Sequence, residues 1–570
     1  PVDYLARPDF IILAGSLIVY LTVALFLPRA MWRLSIFWGL LLFGAAHVVV
    51  GIIQFKRGDQ FMLLPWIHRT DTLWRASGFY ISPNHFAGLM EVLALLTISV
   101  ACWGSFRVAT KVLLVYAACF FLLGIAISGS RGGYLSFAFG LGVFAILSAA
   151  ALRRVDRKRF LPKALAGLAI LGMAAVLAAV LLLQSSTLKH RVREINDPEN
   201  MRFLLWRAAI EEFHIEPWVG TGSGTYLYYG RIFRDPRVQN DPIYVHNDYL
   251  HLLAEYGSAG AVLFAIFFGA HVVAGVKNVT ALAHRRADEG EAPANQLALQ
   301  IGAMSAIGAY ALHSIVDFNL HIPANAFLMA WVFGMVANPS LGLGLKGAFS
   351  KTLSGVSRLL LAGLSVGGLA YGLPKLPGEW FAEKARAALR DYQLADVRTF
   401  AGKAMQYEKA NPDLCYYYGE ATREMAEQQM LPPETRQEAV EMFKKGLALF
   451  PHDVRSILKL AQTYDEMREF DLAEEQLDTA VEFDGNNSLV AAYYGMHYQL
   501  QHQWIEAQTQ FQLALELDPS NKMARSGLDA VETILTPFRQ ANPDVPAPVI
   551  DPEDMEEEAP SPSPAPSPAN

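Results

Sequence analysis

Residues 109–163 read ATKVLLVYAACFFLLGIAISGSRGGYLSFAFGLGVFAILSAAALRRVDRKRFLPK. Two apolar stretches, 109–128 and 132–151, meet at a short Ser-Gly-Ser-Arg-Gly junction, and the second runs straight into a basic cluster. Each stretch is close to the ~20 residues that an apolar helix needs to cross the hydrocarbon core of a bilayer. The cluster holds Arg153, Arg154, Arg157, Lys158, Arg159 and Lys163 against Asp156 alone. Lys and Arg are retained on the cytoplasmic side of a membrane, so this loop is expected inside and the Ser-Gly-Ser-Arg-Gly turn outside. The stretch therefore predicts a membrane-spanning helical hairpin.

The same pattern extends in both directions. Ten apolar runs are readable: 10–28, 34–55, 85–103, 109–128, 132–151, 162–184, 258–276, 297–317, 324–338 and 355–373. Any one of them could be a buried core helix, but ten in series point to a polytopic, all-α membrane bundle. Alternating outward from the basic loop, the other inside loops carry Arg29 and Arg33; Arg107 and Lys111; Lys277, Arg285 and Arg286; Lys346 and Lys351. Every expected inside loop is basic, which is an internal check on the number of spans. The outside segments are then 56–84, the turn at 129–131, the long loop 185–257, the turn 318–323 and everything after 374. A bacterial inner membrane, with the long loop and the whole tail in the periplasm, is the expected location.

Composition agrees. Hydrophobic residues make up 53% of the chain and charged ones 18%, against about 25% charged in soluble proteins. The deficit is confined to residues 1–375. The net charge of −7 offers no basic balance for nucleic acid. Three cysteines, Cys102, Cys119 and Cys415, are too few and too scattered for a disulfide framework or a zinc site. The chain begins at Pro1 and shows no signal peptide.

Residues 376–540 read as an α-helical, tetratricopeptide-like repeat domain. Residues 454–487 and 488–521 repeat with a 34-residue period. Leu460, Ala461, Tyr464, Ala473 and Ala480 mark the first copy; Gly495, Tyr498, Ala507, Phe511, Ala514 and Pro519 mark the second. That spacing of small and aromatic residues matches the tetratricopeptide pattern. A weaker copy upstream has Ala439, Phe443 and Pro451, and another precedes Pro412. An unrelated array of helical hairpins is the plainer alternative. Either array offers a surface for a protein partner and no chemistry of its own. Residues 541–570, rich in Pro, Ser and acid and lacking Lys and Arg, are expected to be disordered.

Four outside segments are unusually polar for their place. Gly78 to Phe86 includes Asn84 and His85, where Asn84 could simply cap the third span. Ser128 to Gly133 surrounds Arg131 with residues whose backbone N–H groups can help hold an anion, although an arginine at a membrane boundary can also snorkel to water. Met201 to Arg207 places Arg202, Trp206 and Arg207 on one interfacial helix, followed by Pro217, Gly220 and Gly222; headgroup contact is the plainer reading. Val245 to Gly257 reads as His246, a helix capped by Asn247 or Asp248, and a stop at Gly257. His251 and Glu255 lie one turn apart, but spacing supplies no third metal ligand. His313, Asp317 and His321 cluster at the outside end of the eighth run, where they could line a cavity or solvate a helix end. Glu91 is an intramembrane carboxylate, a functional candidate by position.

Taken together, Ser130-Arg131-Gly132, Arg202-x-x-x-Trp206, Pro217-x-x-Gly220-x-Gly222 and His246-Asn247-x-Tyr249-Leu250, with Glu255 and Gly257 behind it, resemble the O-antigen ligase and polymerase family, over roughly residues 30–340. The resemblance implies a C-type membrane glycosyltransferase that takes a glycan from undecaprenyl pyrophosphate and passes it to a hydroxyl on a lipid, glycan or protein acceptor. It implies Arg131 and Arg202 as pyrophosphate ligands, Arg207 as a weaker candidate, and His246 as the group acting on the acceptor. Asn84, His85, Asn247, His313 and Asp317 are candidate substrate-binding residues. No metal and no cofactor are expected, because arginines are at hand for the leaving group and the outside loops lack an Asp-x-Asp motif. Ligases of this type place the long loop after about nine spans, which implies further spans before Pro1; the tenth visible run and the repeats are departures from the minimal ligase. A repeat-unit polymerase or a protein O-oligosaccharyltransferase remains open. Against a transporter, the spans contain few charges and no evident inverted repeat, and the polar motifs concentrate at one face rather than at the midplane. A membrane-anchored repeat scaffold would tolerate loss of Arg131, Arg202 and His246.

Overall fold

The computed structural model describes residues 3–27, 30–58, 61–62, 69, 74–165, 167, 201–241, 243–338 and 348–541. Helices account for all regular structure among them, and no strand occurs among the described residues. The chain is an all-α membrane bundle followed by a helical repeat region, and it divides into two compact units.

The first unit contains α1 (Asp3–Leu21, continued by a π-turn Thr22–Phe26), α2 (Ala30–Arg57), α3 (Pro83–Trp103), α4 (Val108–Ser128), α5 (Arg131–Val155) and α6 (Met201–Ile215). After the start of α7 (Tyr226–Ile232), it resumes with α8 (Asp248–Glu289), α9 (Ala294–His313), α10 (Pro323–Ala337) and α11 (Ala348–Gly372). Nine of the ten apolar runs thus fall on helices; the run 162–184 lies outside the described residues beyond 167. Among the described residues, seven helices are long and apolar enough to cross a membrane. Among the shorter or more polar ones, α10 has only 15 residues, and α9 dilutes its apolar content with Asn295, Gln296, Gln300 and Ser305.

Burial sorts these helices by role. α3 is the hub, packed against α2, α4, α5 and α9. Phe86, Met90, Leu93 and Leu95 on it are fully enclosed. In contrast, α4 and α8 turn Leu113, Tyr116, Leu263 and Ile266 outward, as helices in contact with lipid do, since acyl chains solvate these groups as well as a core would.

α8 breaks at Gly257, where φ is +61°. A broken helix leaves backbone groups without partners, and in a buried place each must be satisfied. Here residues 217–222 supply them. Thr221 N and Gly222 N donate to the carbonyls of Ala254 and Glu255 at 3.2 and 2.9 Å, while Ser258 N and Ala259 N donate to Pro217 O and Trp218 O at 2.8 and 3.0 Å. The approach is so close that a Cβ on Gly257 would stand 2.5 Å from the Trp218 carbonyl carbon, and one on Gly220 2.3 Å from that of Glu255. The Pro-x-x-Gly-x-Gly stretch and the glycine that closes the His246 stretch are therefore two halves of one backbone device.

The second unit holds the repeats together with Leu227–Pro242 from the long loop. Its hairpins are α12/α13 (Leu376–Arg390, Leu394–Tyr407), α14/α15 (Pro412–Glu427, Arg436–Leu449), α16/α17 (Val454–Glu466, Phe470–Asp484) and α18/α19 (Ser488–Leu500, Trp504–Leu517). α20 (Lys522–Ala541) covers the last of them. The 34-residue spacing has a direct physical basis: Ala473 and Ala507 are fully buried where paired helices touch, and Phe443 and Phe511 fill the gaps between them.

Candidate functional site

The site grows from three chain reversals in the first unit. The first ends α4. Gly129 takes a left-handed conformation, and Ser130 caps α5 by accepting a hydrogen bond from Gly133 N at 3.2 Å. This sets Arg131 at the first position of α5. The second reversal precedes α3, where Ser82 rather than Asn84 is the cap, accepting from Asn84 N at 3.3 Å. Asn84 is thereby released for another partner: its Oδ1 accepts from Arg75 Nη2 at 3.0 Å, and Arg75 Nε donates to Ser128 O at 2.7 Å. The third reversal follows α9 and carries Val316, Asp317 and Phe318.

These elements enclose a polar cavity of about 100 Å³, with Arg75, Asn84, Ser130, Arg131, Arg202 and Asp317 in its wall. Three guanidinium groups face so small a space that an anion with several oxygens is its natural occupant, since arginine presents a planar fork of donors. Asp317 is the counterweight. It is 2% exposed, with Arg202 Nη2 4.0 Å from Oδ2, and His85 Nε2 and His246 Nδ1 at 4.0 and 3.5 Å from Oδ1. Burial alone would raise the Asp317 pKa. The approach of His246, with the positive potential of His85 and Arg202, outweighs that and holds the carboxyl well below the usual carboxylate range.

His246 stands at the edge of this arrangement with 35% of its side chain exposed. Its φ of +55° is left-handed, a conformation that costs a non-glycine residue of order 1–3 kcal/mol and persists only where neighbours over-determine it. The neighbours are identifiable. Trp206 Nε1 reaches the His246 carbonyl at 3.4 Å, one helical turn after Arg202 on the same face of α6. The ring of His246 meets Phe318 edge-on at 4.7 Å, and Tyr244 stacks on the same phenyl at 4.2 Å. Asn247 accepts from Tyr249 N and Leu250 N, so it caps α8.

The candidates read from sequence are therefore distributed as follows. Asn84, Arg131, Arg202 and Asp317 line one cavity, and His85 and His246 flank it through Asp317. His313 is fully buried, its Nδ1 3.1 Å from Glu91, which also accepts from Ser136; its ring lies against Gly132, directly behind Arg131. Asn247 has the helix-capping role, and Arg207 is exposed and outside the cavity. Arg75 was not singled out from sequence. The available signal was a basic residue in an outside loop, against the charge rule, three residues before the Gly78 motif.

A second buried polar group lies nearby in the chain. Glu255 and His251 pair at 3.1 Å, His251 stacks on His321 at 4.2 Å, and His321 meets Asp248 at 3.0 Å. Among the described residues, no three potential ligands gather around a point where a metal ion would sit. Asp9, Asp248 and His321 bring carboxylate and imidazole groups to a groove of about 700 Å³ that is otherwise mostly apolar, walled by Leu13, Phe264, Phe267 and Met329 among others. The short segment 314–321 lines both spaces: Val316 and Asp317 face the small cavity, and Ser314 and His321 the groove.

Comparison with known proteins bears on this region. The O-antigen ligase family model matches residues 115–265, a span that takes in Arg131, Arg202 and His246. A tetratricopeptide repeat model matches residues 434–494. No curated protein matches the chain. Among solved structures, the chain is similar to one described as the crystal structure of YrrB, a TPR protein with an unusual peptide-binding site. The two are 20% identical with a TM-score of 0.23, over 28% of this chain and 79% of that one. The chain is thus a multi-pass membrane protein in which residues 115–265 match the O-antigen ligase family model and residues 434–494 match a tetratricopeptide repeat.

Proposed function

We propose that the protein is a membrane glycosyltransferase that moves a glycan from undecaprenyl pyrophosphate to a hydroxyl acceptor. The observation that carries this reading is the cavity walled by Arg75, Arg131 and Arg202 and joined through Asp317 to the exposed imidazole of His246. The family match supports it. A pyrophosphate leaving group needs fixed positive charge as its bond to the anomeric carbon breaks, and the three arginines supply it without reorganising. The apolar groove beside the cavity suits the polyprenyl tail of such a donor.

In this reading the acceptor oxygen attacks the anomeric carbon, the carbon–oxygen bond to pyrophosphate breaks, and its electron pair leaves with the pyrophosphate. The hydroxyl proton passes to His246. Because Nδ1 faces the ionised Asp317, Nδ1 keeps its hydrogen and Nε2 is the nitrogen that can accept; the carboxylate then stabilises the imidazolium. A single displacement inverts the anomeric centre. The arginines take the part that a metal ion plays in other transferases. The protein lies in the inner membrane with residues 185–257 and the repeats on the periplasmic side. Residues 1–375 form the enzyme, residues 376–540 the repeat module for a protein partner, and residues 541–570 a tail that lies outside the described residues beyond 541.

The test is glycan transfer by the purified full-length protein from a lipid-linked donor, with separate lipid, glycan and protein acceptors. Transfer to one of them that is lost in His246→Ala supports the reading and identifies the acceptor class. A protein that binds the donor but transfers to none of the three, or a His246→Ala variant with native turnover, overturns it.

A further inference from the structure

Residues Leu227–Pro242 belong to the long loop by sequence but to the second unit by contact. The junction is a built one. Arg234 and Asp484, each 1% exposed, form a two-pronged ion pair, with Nε to Oδ1 at 2.6 Å and Nη2 to Oδ2 at 2.9 Å. The remaining guanidinium nitrogen, Nη1, donates to Val238 O at 2.9 Å and Asn240 O at 3.1 Å, so the loop is folded around the same side chain that anchors it. Asn486 Nδ2 donates back to Arg234 O at 2.7 Å. Gln239 bridges the turn before α18, donating to Asn486 O and accepting from Ser488 N, both at 2.9 Å. Tyr228 stacks on His452 with centroids 4.8 Å apart and planes 12° from parallel. An exposed loop resting on a repeat array needs none of this: a buried arginine is retained only where its donors are satisfied.

The ends of this segment matter as much as its middle. Just before it, Tyr226 is held in the first unit by its N–H to Glu255 Oε1 at 3.1 Å and its hydroxyl to Leu205 O at 3.0 Å. Just after it come Tyr244, stacked on Phe318, and His246 in its left-handed conformation. Asp241, which pairs with Arg231 at 2.8 Å inside the second unit, precedes His246 by only five residues. Four residues, 242–245, are all that separate the anchored Asp241 from His246.

We propose that the repeat array is a clasp on the loop that carries His246, and that Arg234 and Asp484 are positioning residues for glycan transfer. This rests on the reading of His246 as the group that acts on the acceptor. The edge of the array formed by the turns at 450–453 and 484–488 is occupied by the chain's own loop. Anything that strains the array, including a partner bound elsewhere on it, would reach the site through residues 243–245.

The experiment uses the full-length protein and four forms: Arg234→Gln, Asp484→Asn, the double variant, and native sequence with Gly-Ser-Gly-Ser inserted after Asp241. Hydrogen exchange of residues 227–251, donor binding, and kcat and KM for the acceptor are measured in each. The single variants are expected to speed exchange at 243–251 and lower kcat about tenfold to a hundredfold, the scale of a displaced catalytic group, with donor binding unchanged. The double variant should be no worse than the worse single. The insertion keeps the clasp but slackens the tether, so kcat should fall while residues 227–241 stay protected. Native exchange at 243–251 together with native kcat in the insertion form overturns the proposal, even if the point variants disturb the repeats. If the native protein transfers no glycan, the exchange measurements still decide the clasp, and it is the catalytic reading that fails.

Discussion

At the scale of single residues, the proposed chemistry assigns distinguishable duties to a few groups. Arg131→Lys and Arg202→Lys preserve charge but lose the planar fork, so each should lower turnover. Loss of one charge-assisted hydrogen bond costs about 1.5–3 kcal/mol, or on the order of tenfold to a hundredfold in rate. Arg75, fixed between Ser128 and Asn84, should behave like them. In the proposed mechanism His246 acts on the acceptor, so His246→Ala should abolish transfer while sparing donor binding. Asp317→Asn should resemble it, since the amide cannot stabilise an imidazolium. Steady-state kinetics beside a donor-binding assay separates these roles; loss of donor binding with transfer retained at saturating donor in His246→Ala would reverse the assignments. Treatment with a chelator should leave turnover unchanged if arginines alone hold the leaving group. Loss of activity that returns on adding a divalent ion would show that they do not.

Elements are held by backbone accounting and by one ionisable group. Gly257→Ala would force a left-handed conformation on alanine, at roughly 1–2 kcal/mol, and drive its methyl into the Trp218 backbone. It should therefore lower the melting temperature in detergent by several degrees, whereas Gly142→Ala, which meets open space, should not. Glu212 on α6 is fully buried; Thr221 and Thr225 donate to its Oε1 at 2.6 and 3.0 Å. Burial, joined by the nearby Glu255 charge, pushes its carboxyl up to about 7 against the two hydroxyl hydrogen bonds. A raised carboxyl favours the folded state in its protonated form. Its contribution is thus complete below about 4.5 and is lost as pH rises through about 7. Hydrogen exchange in residues 201–225 should quicken between pH 5 and pH 8, and Glu212→Gln, which keeps the acceptor oxygen, should remove that change. A native protein whose exchange, corrected for intrinsic rates, ignores pH would contradict the assignment.

For the whole molecule, the orientation decides where the chemistry occurs. In a background without its native cysteines, Lys158→Cys should resist a membrane-impermeant thiol reagent in intact spheroplasts, while Asn240→Cys and Leu500→Cys should react. Reaction at 158 alone would invert the arrangement and move the site to the cytoplasm. The positions test the question fairly because Lys158, Asn240 and Leu500 are all exposed.

Helical membrane spans and repeats were legible in the chain because both depend on local, additive properties: the length of an apolar run, the charge of a short loop, a 34-residue period of small and aromatic residues. Arg131, Arg202 and His246 could be singled out from short motifs for the same reason. What the motifs could not disclose was how they meet. Asp317 lies 71 positions from His246 and Arg234 lies 250 from Asp484, and no local pattern records a pairing across such distances. Arg75 joined the cavity only because Ser82, and not Asn84, caps α3 and leaves the amide free to hold it. The Pro-x-x-Gly-x-Gly stretch was legible as a motif, but only the break at Gly257 shows which carbonyls and amides it satisfies. Hydrophobic length and charge are properties of a segment and survive in the bare sequence; hydrogen-bond satisfaction and charge pairing belong to pairs of segments, and exist only once the chain has folded.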